Sequence, residues 1–195
     1  IGLISLAIFW FFTNPLTTLL TLIAISFYVG VYTALLKRRT AQNIVWGGIA
    51  GCMPVLIGFA AVKNSLPIAA WSFFLLIFFW TPPHFWALAI KDKDDYSAAG
   101  IPMLPVVAPL TSVRNQTWIH SIAMVLTSLA TVWSARLHWS IYVLTLVLGI
   151  QFLRQVKDLH GVDSNRAAAR LFQWSITYLS AFSLALVIGA LFLNP

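Results

Sequence analysis

Two short polar segments of this sequence contain most of the side chains that could bind a charged ligand. The first covers residues 32–43, and its polar members include Tyr32, Lys37, Arg38, Arg39, Thr40 and Asn43. Arginine offers a planar fork of donors and lysine a compact charge, and both suit phosphate oxygens. Thr40 and Asn43 add neutral donors near the start of a helix, whose N-terminus also favours negative charge. The segment indicates an anion site; an ordinary basic anchor at a membrane surface is the alternative.

The second segment, which leads into a loop with glycine and prolines, reads Lys91-Asp92-Lys93-Asp94-Asp95-Tyr96. Its three carboxylates repel one another unless a cation or basic partners neutralise them. Mg²⁺ binds one or two carboxylates, keeps several waters and accepts phosphate oxygens, so the segment could hold a metal–diphosphate. A solvated loop in which the two lysines balance the acids is the alternative. If the preceding helix continues, Lys91 and Asp95 share one face, and Asp94 points elsewhere.

A histidine lies within an apolar run in a third segment, Trp80-Thr81-Pro82-Pro83-His84-Phe85-Trp86. Two prolines remove backbone donors, so we predict that the helix is interrupted there, which is tolerated only against protein or a cavity. An ionisable residue within a span indicates a functional site. On a helix that begins near Pro83, one face would carry His84, Leu88, Lys91 and Asp95. Such a stripe could line a cavity with a charged mouth. A histidine bonded to a neighbouring helix at a packing joint is the alternative.

Long apolar runs must position these segments. Hydrophobic residues make up 60% of the 195 residues and charged residues only 9%, whereas a soluble domain usually carries about a quarter charged residues. Runs of about 20 residues are long enough to cross the hydrocarbon core of a bilayer. We predict an all-α polytopic membrane protein with the end of one span at 1–12 and six complete spans at 15–36, 44–62, 67–90, 117–133, 139–153 and 171–193. Within the second of these, Gly47 and Gly51 predict a face for close helix packing.

The charged residues orient the spans. When the loops alternate between the two sides, only Lys63 and Arg136 of the twelve basic residues fall on one side. The other side receives Lys37, Arg38, Arg39, Lys91, Lys93, Arg114, Arg154, Lys157, Arg166 and Arg170. Such an excess indicates the cytoplasmic side, and all five aspartates fall there too. The net charge of +7 therefore reflects topology and does not indicate nucleic-acid binding. The single cysteine, Cys52, excludes an intrachain disulfide.

Four strings of residues resemble one known family, the UbiA-type intramembrane prenyltransferases, and in particular the branch that modifies haem. They are Tyr-Thr-x-x-Leu-Lys-Arg-Arg-Thr-x-x-Asn at 32–43, Gly-Gly-x-Ala-Gly-x-x-Pro at 47–54, Trp-Thr-Pro-Pro-His-Phe-Trp at 80–86 and Lys-Asp-Asp-Tyr-x-x-Ala-Gly-Ile-Pro-Met-Leu-Pro at 93–105. The last two are specific to the haem-modifying branch. The resemblance covers essentially the whole chain.

The resemblance implies a ring of nine transmembrane helices around a cavity that opens toward the cytoplasm. Residues 1–195 would form a single transmembrane prenyltransferase domain that covers the end of helix three through helix nine. Two aspartate-rich segments of the family bind the prenyl diphosphate through Mg²⁺, and residues 91–95 match the second. We therefore expect that the chain is truncated at its N-terminus, that the first acidic segment precedes Ile1, and that residues 1–195 alone are inactive.

The reaction that the resemblance implies joins farnesyl diphosphate to a vinyl group of haem B, with water supplying a hydroxyl, to give haem O and diphosphate. Asp94 and Asp95 would bind Mg²⁺, and Lys37 and Arg38 would stabilise the departing diphosphate. The expected substrate-binding residues are Arg39, Thr40, Asn43, Tyr32, Lys91, His84 and Tyr96. The family usually has an aspartate four positions before Asp95, where this chain has Lys91, which would contact the diphosphate or a haem propionate. His84 would ligate or orient the haem iron.

Two alternatives from other classes remain open. A quinone-type prenyltransferase would share the fold and the diphosphate site, but it should have an aspartate at position 91. A non-enzymatic transporter subunit should show charged residues in mid-span or paired broken helices. The expected location is a bacterial inner membrane, with a mitochondrial inner membrane as the second choice. Haem A synthase and oxidase assembly factors are candidate protein partners.

Overall fold

The computed structural model describes residues 1–159, 161 and 164–193, and these residues are almost entirely helical, with no strand among them. The helices are α1 (Gly2–Phe12), α2 (Pro15–Ser26), α3 (Asn43–Lys63), α4 (Ile68–Lys91), α5 (Lys93–Ala98), α6 (Leu104–Val107), α7 (Leu110–Ser134), α8 (Trp139–Asp158) and α9 (Ser164–Ile188). A π-helical segment, Phe27–Leu36, continues α2, and a second one, Gly189–Leu193, continues α9. Asp163, one of the predicted cytoplasmic aspartates, lies outside the described residues.

Within the described part of the chain, five helical stretches are long and apolar enough to cross a membrane: Pro15–Leu36, Asn43–Lys63, Ile68–Lys91, Trp139–Asp158 and Ser164–Leu193. Many of their large apolar side chains are exposed, as expected for surfaces that face lipid rather than water. The all-α polytopic class is therefore confirmed. Helix α7 is 25 residues long, which is sufficient to span, but it is not among the five. The count of six complete spans stays a prediction, as does the partial span at α1.

Helix α2 begins at Pro15, where the predicted span at 15–36 starts; in the first helical turn the missing N–H of proline costs little. The preceding Asn14 caps the helix, because its Oδ1 accepts a hydrogen bond from the Thr17 backbone N–H at 2.9 Å. The Asn14 Nδ2 donates to the Ala60 carbonyl oxygen at 2.7 Å. One side chain thus starts α2 and ties it to the end of α3.

Helix α4 runs without a break through Pro82 and Pro83, so the predicted interruption is wrong. Both prolines are buried between neighbouring helices, and the Thr81 hydroxyl donates to the Ile77 carbonyl oxygen at 2.7 Å. Packing and side-chain hydrogen bonds of this kind let transmembrane helices tolerate proline. Sequence reasoning counted the lost donors but not the neighbours that hold the helix in place.

Helix α4 lies at the centre of the packing and contacts α3, α7 and α9. Contacts of α7 with α8 and of α8 with α9 close a four-helix group, whose core includes Trp86, Met124, Phe152, Tyr178 and Phe182. The pairs α1–α2 and α2–α3 extend this group along the side of α3. Because α4 packs directly on α9, these four helices surround a filled core. The ring of nine helices around an open cavity, which the family resemblance implies, stays a prediction.

Hydrogen bonds between helices show which loops share an end of the bundle. The Gln42 Nε2 donates to the Gln116 Oε1 at 2.8 Å, which joins the loop before α3 to the first turns of α7. At the other end, the hydroxyls of Ser72 and Ser134 lie 3.0 Å apart and join the start of α4 to the end of α7. The basic loop at 37–42 and the segment at 92–109 therefore lie at the same end, as the alternation of loops predicted.

Candidate functional site

The basic triplet lies on a turn that the π-helical segment Phe27–Leu36 positions. The Lys37 backbone N–H donates to the Tyr32 carbonyl oxygen at 2.8 Å, five residues back, and closes the last π turn. The N–H groups of Arg39 and Thr40 then both donate to the Leu36 carbonyl oxygen. The turn leaves Arg38 and Arg39 exposed and Lys37 partly buried. Two guanidinium groups are thus presented at the surface on a hydrogen-bonded backbone.

Asn43 is the first residue of α3, and its side chain is completely buried. Its Nδ2 donates to the Lys37 carbonyl oxygen at 3.1 Å, and its Oδ1 is buried with no hydrogen-bond partner in the described part of the chain. The side chain therefore ties the two ends of the basic loop together. Thr40 has a local role too, since its Oγ1 accepts from the Gln42 backbone N–H at 3.2 Å. Direct contact of either side chain with an anion stays a prediction.

Tyr32 lies against the bare backbone of Gly47 on α3. A Cβ atom at Gly47 would lie 2.5 Å from Cε2 of the Tyr32 ring, so only glycine leaves room for the ring. Gly51, one turn further on, is exposed and would have no described atom within 4 Å of an added Cβ. The predicted close-packing face is therefore confirmed at Gly47 and wrong at Gly51. The phenol groups of Tyr32 and Tyr96 lie close enough to interact electrostatically, which links the two polar segments.

Helix α4 ends at Lys91, and Asp92 separates it from α5 with φ −105° and ψ 38°. Lys91 and Asp95 thus lie on different helices, so the stripe predicted from His84 to Asp95 is wrong. Asp94 and Asp95 are exposed in the first turn of α5, and the Lys91 Nζ lies 3.7 Å from an Asp92 carboxylate oxygen. Partial burial and the nearby Asp92 carboxylate raise the pKa of Tyr96 above its ordinary value. The phenol therefore stays neutral near pH 7.

The carboxylates of this segment fit Mg²⁺ only as part of its ligand set. Within the described ranges, no group of three or more His, Cys, Asp or Glu residues is placed to hold a metal ion. Asp94 and Asp95 are exposed neighbours whose side chains leave the helix about 100° apart. Mg²⁺ commonly takes one or two carboxylates and completes its shell with water and phosphate oxygens. These two residues suit that arrangement when the substrate supplies the remaining oxygens.

The structure brings Arg38 to the segment that follows α5, where a cleft of about 280 Å³ opens at the surface. The cleft is lined by Arg38, Ser97, Gly100, Ile101, Pro102, Val106 and Val107. Gly100 has a φ of 64°, a left-handed conformation that favours glycine, and it turns the chain from α5 toward α6. The predicted anion site therefore meets the end of α5 and the loop that follows the second polar segment.

His84 is packed between two aromatic rings and does not lie in line with the acidic segment. The Trp80 and Phe172 ring centroids lie 4.3 and 4.6 Å from that of the imidazole, both nearly parallel to it. The His84 Nδ1 lies 2.7 Å from the Ser175 Oγ on α9. The structure thus corresponds to the alternative prediction, a histidine bonded to a neighbouring helix at a packing joint.

The surroundings of the Ser175 hydroxyl favour one tautomer of His84. The Ser175 Oγ also lies 2.6 Å from the Phe172 carbonyl oxygen, which can only accept, so this geometry favours a hydroxyl that donates to Phe172 and accepts from the Nδ1–H of His84. In that tautomer the Nε2 keeps a lone pair. Ser175 and Phe172 were not identified from the sequence. No motif links them to His84, since Ser175 lies 91 positions further along the chain.

Comparisons with known proteins show the family of the chain. The sequence model of the UbiA prenyltransferase family matches residues 1–177. Three similar proteins, each named protoheme IX farnesyltransferase, come from Renibacterium salmoninarum (46% identical over 96% of this chain), Streptomyces coelicolor (46% over 96%) and Mycolicibacterium paratuberculosis (48% over 93%). The matches cover 61%, 62% and 59% of those relatives, so the chain spans about three fifths of their length. No solved structure matches.

Proposed function

Because the chain belongs to the UbiA prenyltransferase family, we propose that it acts in the transfer of a farnesyl group from farnesyl diphosphate to a vinyl group of haem B. The product is haem O, and diphosphate is released. The observation that carries this proposal is the similarity to protoheme IX farnesyltransferases over nearly all of the chain. The position of the basic loop and the acidic segment at the same end of the bundle supports it.

The diphosphate of the substrate would bind between the basic loop and α5. Lys37 and Arg39 would contact its oxygens and stabilise the charge that develops as the allylic C–O bond breaks. Asp94 and Asp95 would hold Mg²⁺, which supplies positive charge to the leaving diphosphate when it is bound. Lys91, exposed at the end of α4, would add a further cation close to this position.

Neutral groups complete the proposed substrate site. Tyr32 and Tyr96 would contribute phenol groups, and Thr40 lies in the same loop as the triplet. The apolar surroundings of Tyr32 on the π-helical segment would keep water from the allylic cation until the vinyl carbon reacts. The new bond joins the first carbon of the farnesyl chain to the vinyl group, and water then supplies the hydroxyl.

His84 would contact the haem iron through its Nε2. In the tautomer that donates its Nδ1–H to Ser175, that nitrogen would have a lone pair, and neutral imidazole is a common axial ligand of haem. The rings of Trp80 and Phe172 on either side would keep the imidazole in one orientation.

The proposed location is the cytoplasmic membrane of a bacterium, since the similar proteins named above are bacterial and the chain is a multi-pass membrane protein. Haem B and farnesyl diphosphate are the proposed ligands, and the lipid bilayer is the surrounding solvent. Contact with a haem A synthase or with oxidase assembly factors would let the poorly soluble haem O pass directly to the next protein without entering water.

The test is an assay of membranes that contain the full-length protein, supplied with haem B, farnesyl diphosphate and Mg²⁺. We expect haem O by chromatography, and we expect its yield to fall at least tenfold in Lys37→Gln, because a charge-assisted hydrogen bond contributes about 1.5–3 kcal/mol. Lys63→Gln is the matched control, because Lys63 is exposed at the opposite end of α3. No haem O from the wild-type protein would contradict the proposal, and a prenylated aromatic acceptor would support the quinone-type alternative.

A further inference from the structure

The cleft beside Arg38 combines one cation with an apolar wall. Its lining contains a single charged side chain, Arg38, and one hydroxyl, that of Ser97; the rest is glycine and the apolar residues Ile101, Pro102, Val106 and Val107. Arg38 is exposed, and it has neither an ion pair nor a hydrogen bond from its side chain to any described residue. The guanidinium is therefore available to a ligand.

This composition does not suit a diphosphate. A metal-bound diphosphate carries several charges and needs both basic groups and carboxylates for its Mg²⁺. Neither Asp94 nor Asp95 lines the cleft, and Lys37 and Arg39 are absent from its lining as well. A diphosphate placed here would meet one guanidinium and leave most of its charge against apolar side chains, which is unfavourable.

A single carboxylate attached to a large apolar ring system matches the cleft much better. A guanidinium binds a carboxylate through two parallel hydrogen bonds, and the Ser97 hydroxyl can donate a further one. The apolar wall formed by residues 101–107 would then contact the ring edge. At about 280 Å³ the cleft is below the usual size of a pocket for a whole cofactor, so it would hold only the acidic corner of such a ligand.

We propose that this cleft is a subsite for a propionate of haem, with Arg38 as the group that binds it. The inference rests on the proposed function and assigns Arg38 to the acceptor haem instead of the departing diphosphate. Backbone hydrogen bonds hold both sides of the cleft, which are the turn that carries Arg38 and the segment that follows Tyr96. On one side, the Arg39 N–H donates to the Leu36 carbonyl oxygen at 3.0 Å; on the other, the Ile101 N–H donates to the Tyr96 carbonyl oxygen at 3.0 Å. The subsite is therefore formed before the ligand arrives.

The experiment compares haem B with its dimethyl ester, in which both propionates are neutral. Each is titrated into the detergent-purified full-length protein and followed by the Soret band. The wild-type protein should bind the ester about tenfold more weakly, as expected for the loss of one charged hydrogen-bonded pair. In Arg38→Gln the affinity for haem B should fall by about the same factor, and the preference for haem B over the ester should disappear. The KM for farnesyl diphosphate should change less than about twofold.

Arg39→Gln is the matched variant, since Arg39 is the exposed neighbour that does not line the cleft. It should keep the preference for haem B over the ester and raise the KM for farnesyl diphosphate. Arg38→Lys should recover part of the preference, because it restores the charge without the planar fork. Equal binding of haem B and its ester by the wild-type protein, or an intact preference for haem B in Arg38→Gln, would contradict the propionate subsite. Neither result would contradict the proposed farnesyl transfer. A wild-type protein that forms no haem O would instead contradict the proposed function.

Discussion

Replacing Gly47 by alanine should displace the Tyr32 ring from its place against α3. The new Cβ would lie 2.5 Å from Cε2, 2.6 Å from Cδ2 and 3.2 Å from Cζ of that ring. Carbon atoms in contact prefer a separation of about 3.5–4.0 Å. The ring would therefore have to recede by about 1 Å. Because Lys37 closes the π turn on the carbonyl oxygen of Tyr32, the shift should reach the basic loop.

The effect of Gly47→Ala on the free energy of unfolding follows from two opposing contributions. Forcing an extra methyl group into a packed contact costs about 1–3 kcal/mol, while alanine is favoured over glycine in a helix interior by about 1 kcal/mol. Gly51→Ala should gain the second contribution without the first, since no described atom lies within 4 Å of its new Cβ. We therefore expect Gly47→Ala to be less stable than Gly51→Ala by about 1–3 kcal/mol.

The measurement is the free energy of unfolding of the full-length protein in mixed micelles, with denaturing detergent as the titrant and helicity by circular dichroism as the signal. A double-mutant cycle with Tyr32→Ala isolates the contact, because removing the ring should make Gly47→Ala harmless. In the activity assay, Gly47→Ala should raise the KM for farnesyl diphosphate, and Gly51→Ala should leave it unchanged.

Equal stability of Gly47→Ala and Gly51→Ala would refute the reasoning about this contact. The same conclusion would follow if Tyr32→Ala failed to relieve the effect of the alanine at position 47. If Gly47→Ala lowered the stability without changing the KM for farnesyl diphosphate, the packing contact would be supported. The result would also show that the position of Tyr32 does not affect the diphosphate site.

Three further predictions concern polar side chains. Asn43→Asp removes the amide donor that closes the basic loop. Local opening should then cost about 1–3 kcal/mol less, so trypsin should cleave that loop about 5- to 100-fold faster, with Asn43→Gln as the comparison. Ser175→Ala leaves the His84 Nδ1 without its acceptor and should weaken haem binding in a Soret titration, while Ser175→Thr should preserve it. Asp95→Asn should raise the Mg²⁺ concentration for half-maximal activity several-fold, and Asp158→Asn, at the end of α8, should not.

The membrane class and the main polar segments could be predicted from the sequence because they depend on local properties. Apolar runs long enough to span a bilayer are visible without any knowledge of neighbours, and the span predicted at 15–36 begins where α2 begins. The alternation of the loops likewise placed the basic loop and the acidic segment at one end. These predictions needed only chain length, hydropathy and the positions of the charges.

The predictions that were wrong required knowledge of neighbouring helices. The lost donors of Pro82 and Pro83 suggested a break, but burial and the Thr81 hydroxyl keep α4 continuous. Without a break there, the turn between α4 and α5 falls at Asp92, so the predicted stripe is divided. Gly47 and Gly51 are alike in sequence spacing, yet only Gly47 has an aromatic ring against it.

The amino-acid sequence by itself determined that this chain crosses a membrane, which residue types could meet a diphosphate, and which family it resembles. Only the tertiary structure decided how those residues are used. It buried Asn43 against the Lys37 carbonyl group, set Ser175 beside His84, and joined Arg38 to an apolar wall about 60 residues further along the chain. The reason is physical: charge and hydropathy belong to each residue, whereas burial and hydrogen-bond partners depend on groups that only the packed helices bring together.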